Sequence, residues 1–145
     1  MDELKNKSAV KKVFFAASII LVFISFFIFS SCKQEPFLVE KIILSKGLDS
    51  NNNPTEETDS FQGGTKEIYL VIRIQNMRSS DSITVKWTYL DEDLEIDSKS
   101  FTPEEKFNGN KIFIIKIAQG FPFGNYEANI FVNGSNYKTI PFTVK

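Results

Sequence analysis

Two hydrophobic patterns divide the chain. From Val13 to Phe29 the residues are apolar or small and none is charged, and Lys5, Lys7, Lys11 and Lys12 stand before them. As a helix at ~1.5 Å per residue this run spans roughly 26 Å, close to a ~30 Å hydrocarbon core. Beyond residue 36 the pattern changes to period two, the mark of strands with one buried face. Between Glu67 and Asn76 the residues Ile68, Leu70, Ile72 and Ile74 fall on one face and Tyr69, Arg73 and Gln75 on the other. Between Ser82 and Leu90 the same alternation puts Ile83, Val85, Trp87 and Tyr89 together. It recurs with Phe113, Ile115 and Ile117, with Tyr126, Ala128, Ile130 and Val132, and with Ile140, Phe142 and Val144. Shorter strands are expected at Val39 to Leu44 and at Leu94 to Lys99, the latter with Leu94 and Ile96 inward.

Turn-forming residues separate these segments: Asp49 to Pro54, Gly63-Gly64, Asn76 to Asp81, Asn108-Gly109-Asn110 and Asn133-Gly134. The last is a two-residue hairpin signal joining the final two strands. Pro141 cannot donate to a ladder, which places the final strand at an edge or a bulge. No useful helical periodicity follows Cys32. The pattern predicts an all-β fold: an antiparallel β-sandwich of about seven strands following an N-terminal hydrophobic signal helix.

The exit of the apolar run carries the chain's single cysteine. Phe29-Ser30-Ser31-Cys32 resembles the lipobox of bacterial lipoproteins, an apolar residue and two small ones before a cysteine, and Lys11 and Lys12 stand where such signals carry their basic region. Phe29 occupies the place where the family usually has Leu, Val or Ile. The resemblance implies cleavage before Cys32, which becomes a lipidated N-terminus whose palmitate-type chains contribute ~0.8 kcal/mol per buried methylene. Residues 1–31 are then a signal peptide, 32–36 a spacer and 37–145 the folded domain. The alternative is an uncleaved single-pass anchor at 13–29 with Cys32 a free thiol. Basic residues before the run keep the N-terminus cytoplasmic in both cases, so the remainder is expected to be extracytoplasmic.

Trp87 in mid-strand and Tyr126 after Phe121-Pro122-Phe123-Gly124-Asn125 resemble the core tryptophan and tyrosine-corner region of immunoglobulin-like domains. The tail Gly124 to Val144 is similar to their last hairpin. That resemblance implies an immunoglobulin-like sandwich and carries no activity.

Composition narrows the chemistry. With no histidine and one cysteine there is no imidazole general base, no Ser-His-Asp or Cys-His pair and no internal disulfide. Seventeen basic and eighteen acidic residues provide no basic field for nucleic acid. No cofactor and no catalytic residue is expected. Asp91, Glu92, Asp93, Glu95 and Asp97 have oxygens suited to calcium but neither the order nor the glycine of an EF-hand, and read as a solvated turn and sheet edge rather than a metal site. Glu104 and Glu105 are adjacent and point apart on extended chain, so they do not form a glycosidase pair. The polar segment Gly47 to Thr65 is either a recognition loop or an unstructured insertion, with Phe61 its one core-like residue. Phe121 and Phe123, flanking Pro122, are either core caps or an exposed aromatic binding surface. The expected role is a membrane-anchored, non-enzymatic domain that meets membrane lipid through acylated Cys32 and binds a protein or envelope component. The rival role is that of an accessory subunit of a larger envelope complex.

Overall fold

The computed structural model describes residues 35–145. Lys11, Lys12, Phe29, Ser30, Ser31, Cys32 and the apolar run before it lie outside the described residues, as does the start of the spacer. Two sheets face each other. One has the order β2 (Pro54–Glu57), β1 (Leu38–Leu48), β4 (Glu67–Met77), β7 (Phe107–Lys116). The other has the order β3 (Ser60–Phe61), β9 (Ser135–Val144), β8 (Gly124–Val132), β5 (Ile83–Tyr89), β6 (Leu94–Phe101). All pairings are antiparallel except the short parallel bridge of β3 to β9.

The period-two faces become the core. Ile68, Leu70, Ile72 and Ile74 of β4, Ile83, Val85 and Trp87 of β5, and Tyr126, Ala128 and Ile130 of β8 are all buried between the sheets. Phe142 ties the interior together, meeting Phe61 and Trp87 edge-on and stacking on Tyr126 at 5.1 Å. Such aromatic pairs contribute ~0.5–1.5 kcal/mol each beyond the area they bury. Between β8 and β9, Asn133 (φ 50°) and Gly134 (φ 78°) form a tight turn with two left-handed residues, the geometry an Asn-Gly pair favours. Pro141 sits opposite Glu127 of β8, and on its other side β3 reaches only Thr143 and Val144, so no ladder bond is lost.

Three expectations are corrected. Nine strands form rather than seven, because the segment from Gly47 to Thr65 contributes the end of β1, all of β2 and β3. That segment is ordered by its own polar residues. Asp49 accepts from Asn51 N and Asn53 N at 2.8 Å each, Ser45 bonds Thr55 O at 2.8 Å, and Asn110 of β7 reaches Asn52 O and Asn53 Oδ1 at 3.4 and 3.3 Å. The β1–β2 hairpin therefore folds back across the outer face of its sheet, and this is why the outward-facing Val71 and Ile43 are buried. Asn108-Gly109-Asn110 is not a turn but lies within β7, where Asn108 Oδ1 accepts Asn76 N at 2.7 Å across a bulge with Asn76 at φ 56°. Leu94 is exposed rather than inward: it starts the edge strand β6, beyond the register shift that faces Trp87 and Thr88 of β5.

Candidate functional site

The strand directions gather two loop segments at one end of the sandwich. The described chain starts at the other end, where Pro36 O accepts from Asn76 Nδ2 at 3.4 Å and Glu35 O from Arg78 Nη2 at 2.9 Å. β5 runs away from that end into a single 3-10 turn, Leu90–Glu92, closed by Asp93 in the left-handed conformation. β7 runs the same way into the segment 117–123, and β8 returns.

Here the two flanking phenylalanines part company. Phe121 is only 3% exposed and packs edge-on against Tyr126 at 5.8 Å, so it is a core cap and does not belong to a binding surface. Phe123 is 69% exposed, with one side of its ring resting on Gly63, where any Cβ would collide with it. The reason is Tyr126, whose hydroxyl donates to Pro122 O at 2.7 Å. That bond pins the backbone between the two rings, turning one in and the other out. Tyr89 stacks on Tyr126 at 4.7 Å and donates to Phe123 O at 3.0 Å, fixing the exposed ring a second time.

Acidic side chains border this end. Asp91 accepts from Asn125 Nδ2 at 3.0 Å and from Asn125 N at 3.4 Å, which joins the 3-10 turn to β8. Burial lifts the Tyr126 hydroxyl to about 12, with Tyr89, Asp91 and Glu92 adding to the effect, and burial first, then Asp91 and Glu92, raises Tyr89. The remaining candidates disperse. Glu95 pairs with Lys86 at 3.5 Å and Asp97 with Lys99 at 3.1 Å along the flank of the sheet, away from Asp91. Among the described residues no group of three or more carboxylates and thiols could hold a metal ion. Glu104 and Glu105 are exposed in the β6–β7 loop at the opposite end. A groove of about 460 Å³ runs from the 3-10 turn over β8 and β9 to β3, with Leu90, Pro141 and Thr143 along it and Asp59 and Lys145 at its far side. Sequence reasoning missed this groove because Leu90 reads as the end of a strand and Asp59 as part of a loop; only the β3–β9 bridge brings Asp59 near Leu90.

This architecture can be set beside known proteins. An immunoglobulin-like protein from Pseudomonas aeruginosa superposes with a TM-score of 0.54 at 10% identity, over 78% of this chain and 99% of that one. The fold is immunoglobulin-like. A β-glucuronidase from Parabacteroides merdae (TM-score 0.47, 16% identity, 74% of this chain and 13% of that one) and the sensor domain of the anti-sigma factor RsgI4 from Pseudobacteroides cellulosolvens (TM-score 0.42, 14% identity, 74% and 89%) are more distant and add nothing to that statement. No protein-family model matches the sequence, and no curated protein matches it either. The immunoglobulin-like likeness extends to the tyrosine corner, since Tyr126 bonds a carbonyl four residues upstream within the turn that precedes its strand.

Proposed function

We propose that this protein is a lipid-anchored, non-enzymatic immunoglobulin-like domain that binds a protein or envelope component outside the cytoplasm. The observation that carries the anchor is the placing of the chain's one cysteine, Cys32, after two serines at the exit of a charge-free apolar run preceded by Lys11 and Lys12. A short spacer then leads to Glu35, where the chain enters the sandwich at the Asn76–Arg78 end. The opposite end, with Phe123 and Leu90, is left for contact. Loops on a rigid scaffold are the usual place for recognition. The composition supports the non-enzymatic reading, since the chain has no imidazole and its carboxylates are spread along the flanks and ends of the sheets.

The test is the intact mass and detergent partitioning of the full chain made in a bacterium with lipoprotein-processing machinery, beside Cys32→Ser. The expected result is loss of residues 1–31 with an added lipid mass that Cys32→Ser abolishes. An unmodified full-length mass in both proteins would replace the lipid anchor by a permanent span at 13–29.

A further inference from the structure

Five acids pair with a lysine at 2.7–3.5 Å, Glu56, Glu57, Glu95 and Asp97 on the flanks and Glu67 with Lys116 at the loop end. At the end bearing Leu90 and Phe123, Asp59, Asp91, Glu92 and Asp93 are all exposed, and none has a cationic partner among the described residues. Between them lies apolar surface held in place by bonds already described. Leu90 is 43% exposed, Leu94, paired with Tyr89, is 51%, and Phe123 is 69%. Three of the five large apolar side chains exposed on the described residues are therefore at this one end. The groove of about 460 Å³ continues the apolar surface over Leu90 and Pro141, with Lys145 the one cation along it. Lys66, Lys145 and the Glu67-paired Lys116 stand at the same end, so acidic side chains are in excess there; an exposed apolar patch with an excess of one charge marks an interaction site, and the sign of the excess selects the partner.

We infer that this end docks a basic segment of a partner protein, whose aliphatic or aromatic side chains cover Leu90, Leu94 and Phe123 and whose lysines or arginines meet Asp59, Asp91, Glu92 and Asp93. The inference deepens the binding role proposed above and rests on it. Phe123 is the anchor contact, because its ring is exposed while the backbone beneath it is fixed by Tyr89 and Tyr126, so little conformational freedom is lost on binding. The lysine or arginine stems of the partner add apolar contact on Pro141 and Leu90.

The test uses the isotopically labelled full chain in discs of zwitterionic lipid, titrated with a short peptide of alternating leucine and lysine and with its leucine–glutamate counterpart. With the lysine peptide, amide shifts are expected at Leu90–Asp93 and Phe121–Asn125, with none at the Asn133–Gly134 turn of the other end. The variant Asp59→Asn/Glu92→Gln/Asp93→Asn, which alters exposed side chains only and keeps a residue tolerant of the left-handed conformation at position 93, is expected to bind about tenfold more weakly. Phe123→Ala is expected to weaken binding by a similar factor. Equal binding of both peptides, shifts centred on Asn133–Gly134, unchanged affinity in the variants, or no shift with either peptide would each overturn the inference. The lipid mass of the same sample reports the anchor independently. A lipid-free chain that binds the lysine peptide overturns the anchor and keeps the docking surface; a lipidated chain that ignores the peptide does the reverse.

Discussion

Tyr126 shows how one side chain connects the core to the surface. Its ring is stacked between Tyr89 and Phe142, and its hydroxyl holds Pro122 O. Tyr126→Phe keeps the stacking and removes the bond, leaving a carbonyl unpaired; the expected cost is ~1 kcal/mol, read as a lower denaturation midpoint. The larger effect is on pH dependence. The folded-state value of about 12 lies above the ordinary value of 10.0, so the protonated form is favoured by folding. Stability from this group is fully present below pH ~10 and is lost as pH rises towards ~12, by an amount on the order of 2 kcal/mol. The advantage of the wild type over Tyr126→Phe, ~1 kcal/mol below pH ~10, should therefore vanish and then reverse over that window, and a difference that stays constant with pH would show that Tyr126 is not held neutral by burial. Gly124 is the second decisive residue. Its φ of +148° is poorly tolerated by side chains, and an added Cβ would lie 2.6 Å from the Tyr89 ring and against Asp91. Gly124→Ala is expected to cost ~2–3 kcal/mol and to separate the 3-10 turn from β8. Retained amide protection at Asn125 in that variant would argue against this account.

At the scale of elements, alternation was readable wherever one face of a strand meets the core and the other meets water. β5, β8 and β9 are of this kind, as is the inner face of β4, and periodicity places their inward residues in or against the core. The misreadings have a shared cause: position in the sheet, which a single strand does not encode. Leu94 alternates with Ile96 but starts an edge strand beyond a register shift, where it is left in solvent. Val71, which the alternation of Tyr69, Arg73 and Gln75 leaves unassigned, is buried on their face, where the tip of the β1–β2 hairpin crosses to Asn110. Asn108-Gly109-Asn110 reads as a turn because its residues favour turns, whereas here the same preference serves a bulge. The candidate site divides in the same way. Phe121 and Phe123 stand together in the sequence by flanking Pro122, but which of them is exposed depends on the Tyr126 bond, which no local pattern reveals. The β1–β2 hairpin provides a test at this scale. Its tip is held to β7 by Asn110 and is stabilised internally by Asp49, whose carboxyl is held below the usual range by bonds from Asn53 and Asn51. Asn110→Ala should therefore speed amide exchange at 49–53 about tenfold while leaving β4 protected, since local opening there does not require the core to open. Exchange unchanged at the tip would mean that Asn110 does not hold it.

The sandwich as a whole is stitched by pairings between strands far apart in the chain. β1 lies beside β4, β4 beside β7, and β5 beside β8, while only β1–β2, β5–β6 and β8–β9 join consecutive strands. Closing those long loops costs entropy before any burial repays it, so topology sets a slow folding time. Nothing covalent shortens the loops, because the chain's only cysteine is Cys32, ahead of the domain. Two consequences follow for a measurement on the whole chain. Its denaturation midpoint should be the same with and without reductant, since no bridge within one molecule exists to be broken. Refolding after dilution from denaturant should relax in milliseconds to seconds, as expected of sandwiches dominated by distant pairings. The Asn133–Gly134 turn separates rate from stability here. It closes the β8–β9 hairpin, the local unit that carries Tyr126 and Phe142 into the core, and Gly134→Val forces a branched side chain into a left-handed position. If that hairpin forms early and organises the distant pairings, Gly134→Val slows refolding by about the full factor by which it destabilises the fold. A variant that refolds at the wild-type rate and only unfolds faster would instead place β8–β9 among the last elements to assemble, and the pairing of β4 with β1 and β7 would then be the step on which the fold depends.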